Sequence, residues 1–247
     1  MEIRAYKTPK IVIGDDLFAI LDQNLPKLSE KSVVAVTSKI VSICEGRVVK
    51  NDGTVKKIDL IEKEAQWYIE PGVSKYDASL SVTRNILVSA AGIDESNGNG
   101  YFVMWPKNAF QSAENIWGHL KKVHGIQNLA VLITDSVVVP LRWGTRGVGI
   151  AWCGFVPLRD YRDKPDIFDR PFVYTKLSIL DCLATTAVLA MGEGNEQTPL
   201  AVLNKVPNIT FLHRPPTKEE ISTLQIEPED DLFAPILHFD QLKKGRG

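Results

Sequence analysis

Three acidic positions in this chain share one kind of setting. Asp94 follows an apolar run in "SAAGIDESNGNG", residues 89–100; Asp135 closes "LAVLITDS"; Glu193 closes a long apolar stretch in "AMGEG". In each case a rigid buried element meets a turn rich in Gly or Ser. Carboxylates delivered from such ends can converge on a hard divalent cation, which takes oxygen ligands. Ser136 adds a hydroxyl beside Asp135, and Asn97 adds an amide near Asp94 suited to a phosphate or a sugar. Mg²⁺ and Mn²⁺ favour carboxylate, hydroxyl and water, often with substrate phosphates completing the shell. A single acid at such an end is more often a cap or a turn former, because Asp, Ser, Asn and Gly bond or bend the local backbone. Three in the same pattern make a metal and phosphate site an equal reading. Spacing alone does not show that they converge.

The elements that must position these residues follow one another irregularly. "KIVIGDDLFAIL" reads as a short strand, a Gly-Asp break and a helix with Asp15 or Asp16 as N-cap. "SVVAVTSKIVSICEGRVV" is β-branched and apolar, a buried strand with a following element. "DLIEKEAQWYIE" predicts a helix ending before Pro71 and Gly72. "NILVSAAGI" is a strand that leads into the acidic turn. "AFQSAENIWGHLKKVHG" has helical spacing, with Gly125 as its C-terminal cap. "LAVLITDS", "GVGIAWCGFVPL" and "PLAVLNKV" read as strands, and "LSILDCLATTAVLAMGEG" as a long apolar helix. Regular strand–helix alternation is lacking, so the expected class is α+β, a mixed sheet with helices. One unit is expected over residues 1–210, with a polar C-terminal extension over 211–247.

Composition excludes several functions. The 247 residues are 44% hydrophobic and 24% charged, with a formal net charge of −1. That describes a globular chain able to bury a core. Without a basic excess it is not a generic nucleic-acid binder, although a local groove for one phosphorylated ligand is allowed. Cys44, Cys153 and Cys182 lie far apart with no Cys/His cluster, which argues against zinc and suits a reducing compartment. The polar N-terminus and the absence of a bilayer-length apolar run point to a cytoplasmic protein without a membrane partner. His119, His124, His213 and His238 show no ligand spacing and read as surface or core residues. Trp67-Tyr68 and Tyr101-Phe102 read as packing rather than as a flavin platform.

Five segments in order carry a resemblance. "VVAVTSKIVSICEGRVV", "SAAGIDESNGNG", "LAVLITDS", "PLRWGTRGVGIAWCGFVPLRDYRDKPDIFDRP" and "DCLATTAVLAMGEGNEQTPLAV" together resemble the coenzyme F420-0:L-glutamate ligase family, over most of residues 10–210. The resemblance implies an α+β homodimer that uses GTP with Mg²⁺ or Mn²⁺, and K⁺, to join L-glutamate to a carboxylate of a deazaflavin cofactor precursor as an amide. It implies metal ligation by Asp94, Asp135, Ser136 and Glu193. It implies nucleotide contacts from Pro9, Lys10, Ile11 and Val12, from Thr37, Ser38 and Lys39, from Asn97, and from a loop opening with Glu193, Gly194, Asn195 and Glu196. Lys39 and Arg142 are the expected catalytic cations, with Arg47 and Arg146 as further candidates for holding anions.

The chain also departs from the family. Ile43 and Cys44 stand where the family commonly has Lys-Ala, and Val138-Val139 where it has Gly-Arg, while Arg142 is kept. Loss of a Lys and an Arg weakens contacts to phosphate or to an anionic acceptor. If these positions line the acceptor side, a folate-type carboxylate is favoured over the phosphodiester-bearing precursor. The further alternative is a relative that binds metal and nucleotide without turnover.

Overall fold

A computed structural model describes residues 1–73, 75–76, 78–237 and 242–247; His238 lies outside the described residues. The chain opens with β1 (Glu2–Tyr6), α1 (Leu17–Asn24), β2 (Ser32–Thr37), α2 (Ser38–Cys44) and β3 (Val48–Lys50). Next come α3 (Lys57–Glu64), β4 (Trp67–Tyr68), β5 (Leu80–Thr83), β6 (Ile86–Ser89) and β7 (Tyr101–Val103). They are followed by α4 (Ala109–His124), β8 (Leu129–Val138), β9 (Thr145–Cys153), β10 (Leu158–Asp160) and β11 (Lys176–Ser178). The last elements are α5 (Ile179–Met191), β12 (Leu200–Asn204), α6 (Lys218–Ser222), α7 (Ala234–Leu237) and β13 (Lys243–Lys244).

The central sheet has the order β1-β12-β2-β8-β9. β2 and β8 run parallel, and every other neighbour pair is antiparallel. This is the expected α+β class with a mixed sheet. Val33 to Val36 in β2 are all inaccessible to solvent, because the sheet is covered on both faces. Val34, Val36, Val131 and Ile133 pack with Ile116, Trp117 and Leu120 of α4. Val33, Ala35, Ala130 and Leu132 pack with Leu180, Leu183 and Ala187 of α5. Two-sided burial is why β2 and β8 read as continuous apolar runs rather than alternating ones.

Helix α5 lies very close to β9. A Cβ added at Gly147 would sit 2.3 Å from the Ala184 carbonyl oxygen, and one at Gly149 would meet the Leu180 side chain. The Thr185 hydroxyl donates to the Gly147 carbonyl at 2.9 Å, which fixes that approach.

A second sheet, β13-β4-β5-β6, stands beside the first. A small core of Leu60, Ile61, Tyr68, Ile93, Phe102 and Met104 lies near it. Ile93 and Phe102 anchor the two arms of the acidic turn, closed by paired backbone bonds between Asp94 and Val103 at 2.8 and 3.0 Å.

Several local expectations hold. Asp16 caps α1 through the Phe18 N–H at 2.9 Å, and Gly125 ends α4 at φ 66°. Two are corrected. Lys10–Ile13 form no strand; Val12 N–H instead donates to the Asp15 carboxylate at 2.8 Å. The first strand is the polar segment Glu2–Tyr6, an edge strand with one partner, and an edge tolerates charge where a central strand does not. Helix α3 stops at Glu64, because Ala65 is extended and Trp67-Tyr68 pair with β5, where aromatic side chains fit a pleated surface. In the C-terminal segment, Thr217 and Glu220 form a capping box on α6, and β13 pairs with β4. Among the described residues no helix is long and apolar enough to cross a membrane.

Candidate functional site

β2 and β8 are parallel and in register from Ser32↔Leu129 to Thr37↔Thr134, so both chains leave the sheet at the same edge. Thr37 passes into α2, which carries Lys39 on its first turn. Between the Ile133 and Thr134 pairs of β8 the register slips because β9 carries an extra residue, Ile150, and Asp135 and Ser136 follow that irregularity. A bulge there re-aims the side chains beyond it.

Lys39 reaches across to the acidic turn. Its Nζ donates to Asp94 Oδ2 at 2.5 Å, to the Ser96 carbonyl at 2.8 Å and to Ser96 Oγ at 3.2 Å. Asp94 Oδ1 accepts from the Glu95 and Ser96 backbone N–H groups at 2.6 and 2.8 Å. Burial alone would raise the Asp94 carboxyl, but the Lys39 ammonium and the Ser96 donors outweigh it and hold it below its ordinary value. Asp135 behaves oppositely. Burial pushes its carboxyl up to about 6, against the Trp105 indole N–H and the Ser136 N–H, which favour the charged form. The negative Asp94 raises it further and Lys39 lowers it, so the three side chains form one electrostatic group.

Backbone and side-chain bonds tie four loops together beside this group. Thr8 N–H donates to the Gln197 carbonyl at 2.9 Å, and Thr37 N–H to the Pro199 carbonyl at 3.0 Å. Asn97, at φ 55°, donates its amide to the Gly194 carbonyl at 3.0 Å. Glu196 folds back to accept from Gly194 N–H at 2.8 Å. The expected nucleotide segments at Pro9–Val12, Thr37–Lys39, Asn97 and Glu193–Glu196 therefore belong to one neighbourhood. A cavity of about 220 Å³ opens there, walled by Ile11, Val12, Ile43, Val48 and Tyr101 beside Asn97. Ile43 thus shares its pocket with those loops, and Val138 and Val139 do not line it.

Other expected side chains face solvent or other partners. Glu193 is exposed on its loop, and Arg142 is exposed on the β8–β9 hairpin tip with Arg146 nearby in β9. Arg47 is committed elsewhere, paired with Glu64 at 2.5 Å. Among the described residues no three His, Cys, Asp or Glu side chains gather as a ready-made metal group. The donors that do meet are all hard oxygens, and an ammonium already rests on three of them as a stand-in cation. Mg²⁺ commonly binds through one or two carboxylates, leaving other positions to water and substrate phosphates. Asp94 and Asp135, near enough that the charge of one raises the carboxyl of the other, supply the two carboxylates of that pattern, and Ser136 is tied in through its backbone N–H to Asp135 Oδ1.

Trp105 escaped the reading of the sequence. Its indole donates to Asp135 Oδ2, while the Arg47 Nε holds its carbonyl at 3.1 Å. Arg84 lies over its ring at 5.9 Å, and a Cβ at Gly92 would enter that ring. No local signal marks it: "MWPKN" shows neither that the indole is buried nor that its acceptor lies 30 residues further on. Trp105→Phe removes a donor from the ionised carboxylate. The Asp135 pKa then rises above about 6, and the acid limb of any turnover that needs ionised Asp135 moves up by about 1 pH. A pH profile of nucleotide turnover checks this; an unmoved acid limb refutes it.

Comparison with known proteins adds an independent finding. A sequence profile of the family described as F420-0:Gamma-glutamyl ligase matches residues 5–205. The coenzyme F420:L-glutamate ligase of Methanococcus maripaludis is 31% identical over 222 residues, which are 84% of this chain and 89% of that protein. The protein of the same name from Natronomonas pharaonis is 33% identical over 218 residues, 80% of this chain and 83% of its own length. That of Methanocaldococcus jannaschii is 27% identical over 198 residues, covering 74% and 79%.

Proposed function

Because the chain belongs to the F420-0:gamma-glutamyl ligase family, we propose that it joins L-glutamate to a carboxylate of the coenzyme F420-0 type, driven by GTP and a divalent metal. The observation that carries this reading is the Lys39–Asp94–Asp135 group beside four loops bonded to one another. A carboxylate is a poor acyl donor at neutral pH. Its oxygen would attack the γ-phosphorus of the nucleotide, releasing GDP and leaving an acyl phosphate. The glutamate amine would then attack the acyl carbon, phosphate would leave, and an amide would remain.

Asp94, Asp135 and Ser136 would hold Mg²⁺ or Mn²⁺, with Glu193 closing in from its loop. The metal's contribution is to neutralise charge on phosphoryl oxygens and align them. Lys39 supplies a mobile positive charge beside the phosphates. Asn97 and the Gly194 carbonyl tie the acidic turn to the Glu193–Glu196 loop, so both close on the nucleotide together. Trp105 orients the Asp135 carboxylate. Arg142 would take part only through movement of the hairpin tip or from a second protomer. A homodimer, a cytoplasmic setting and a K⁺ requirement belong to the same proposal.

The test is a mass-spectrometric assay with GTP, Mg²⁺ or Mn²⁺, L-glutamate and one acceptor at a time. The expected result is a product heavier by one glutamyl unit, with GDP released only when acceptor and glutamate are both present. GDP release indifferent to both, or no amide with any acceptor, would sink the proposal. Product from a folate-type carboxylate alone would keep the ligase and change its substrate.

A further inference from the structure

Lys39 is seated as a cation rather than as an ordinary surface partner. Its ammonium faces Asp94 Oδ2, the Ser96 carbonyl and Ser96 Oγ, at 2.5, 2.8 and 3.2 Å. Three oxygens, one of them charged, surround a positive centre whose side chain is only 25% exposed. Carboxylate, backbone carbonyl and hydroxyl oxygen are also the donor types that a hard divalent ion takes. A divalent ion seated on Asp94 Oδ2 would lie within a few ångströms of the ammonium, and two cations at that range repel each other. The same ammonium cannot reach substrate phosphates while it rests there.

We propose that Lys39 is a built-in placeholder for the metal: it fills the Asp94 seat until an arriving divalent cation expels it toward the nucleotide. This rests on the ligase reading, since that reading puts a metal at Asp94. The exchange accounts for an order of events. Asp94 and Lys39 together are a neutral pair that offers little to a polyphosphate. A divalent ion on Asp94 adds two positive charges and frees a third donor group at the same point. Metal then precedes and promotes nucleotide, and free carboxylate is never left bare in the meantime. Ser96 is what makes the seat, because it supplies two of the three oxygens and also donates to Asp94 Oδ2 at 2.9 Å.

Lys57 provides the control. It pairs with Glu95 at 3.0 Å, on the same turn, without touching Asp94 or Ser96. Removing it deletes the same charge from the same loop while leaving the seat filled.

The experiment is Mn²⁺ binding, measured by electron paramagnetic resonance without nucleotide or acceptor, on the wild type, Lys39→Met and Lys57→Met. Lys39→Met should bind Mn²⁺ about tenfold more tightly, the scale of a charge-assisted hydrogen-bond set in a partly exposed pair. Lys57→Met should change affinity less than about twofold. Thermal denaturation of each variant confirms folding. Unchanged or weaker binding by Lys39→Met, with wild-type binding intact, overturns the placeholder role and leaves the ligase reading standing. Equal gains in both variants also overturn it, since charge alone then suffices. No Mn²⁺ binding by any of the three overturns the placeholder and the metal-dependent reading together.

Discussion

Asp135→Asn should lower nucleotide turnover about a hundredfold or more while the protein still folds. The substitution keeps the shape and deletes the charge that a metal would need, and such a loss removes transition-state stabilisation. Saturating Mg²⁺ or Mn²⁺ should not restore the rate, and turnover within about threefold of wild type would refute the assignment. The same variant carries a stability signature. Burial raises the Asp135 carboxyl from 3.8 to about 6 in the fold. Between those values the native state holds more protons than the unfolded chain, so stability is full below about 4 and is lost as pH rises through 6. Above that the ionised carboxylate costs the apo protein about 3 kcal/mol. Asn escapes that cost. It accepts only one of the two bonds from Trp105 Nε1 and Ser136 N, which returns about 1 kcal/mol. Denaturant unfolding at pH 4 and pH 7.5 should therefore show a steep loss in the wild type and a flatter response in the variant. A parallel loss in both would deny that Asp135 is a strained acid.

Gly147→Ala should destabilise the fold by about 3 kcal/mol, a fall in Tm of about 6–12 °C for a chain of this size. The added methyl would lie 2.3 Å from the Ala184 carbonyl oxygen and 2.7 Å from the Thr185 nitrogen. Both belong to the backbone of α5, so no side chain can swing aside. Gly149→Ala comes nearest to the Leu180 side chain, its Cγ at 2.3 Å, which can give way by a rotamer change where a helix backbone cannot, and should cost less. The clash has a functional reach, because Gly147 pairs with Ser136 and Val148 with Asp135 across the β8–β9 ladder. Calorimetry on the two variants separates the cases. A Gly147→Ala loss below about 1 kcal/mol, or one smaller than that of Gly149→Ala, would show that α5 is free to retreat.

Asp135 was legible as a site residue because it follows a run of apolar residues that only a buried strand explains, whereas Asp94 was legible from its acidic, Gly-rich turn, since its strand stops at Ser89. Their shared neighbour was legible by type alone. Lys39 lies 55 residues before Asp94, and no local pattern announces a bond over that separation. Glu193 and Arg142 had equally clear motifs, yet the folded chain leaves both exposed, since a motif fixes a residue's place in the chain and not its rotamer. Trp105 was invisible for a different reason: its role depends on Arg47, Arg84 and Gly92, contributed by three separate segments. In the fold, the long runs of β2, β8, α4 and α5 read correctly because burial on both sides of a sheet dictates composition. The edge strand β1 did not, since with one neighbour its pairing demands little of its side chains.

The place of β12 between β1 and β2 has a consequence for the chain as it is synthesised. β2 leaves the ribosome more than 160 residues ahead of the strand that must lie beside it, and β1 earlier still. At ribosomal rates of about 5–20 residues per second, β2 waits roughly 8–30 s with one edge open. During that interval the bonds from Thr8 to Gln197 and from Thr37 to Pro199 do not exist, so the nascent chain holds no finished ligand site. Its apolar, β-branched edge is then the part of the molecule most in need of a chaperone, because an unpaired strand edge recruits other chains.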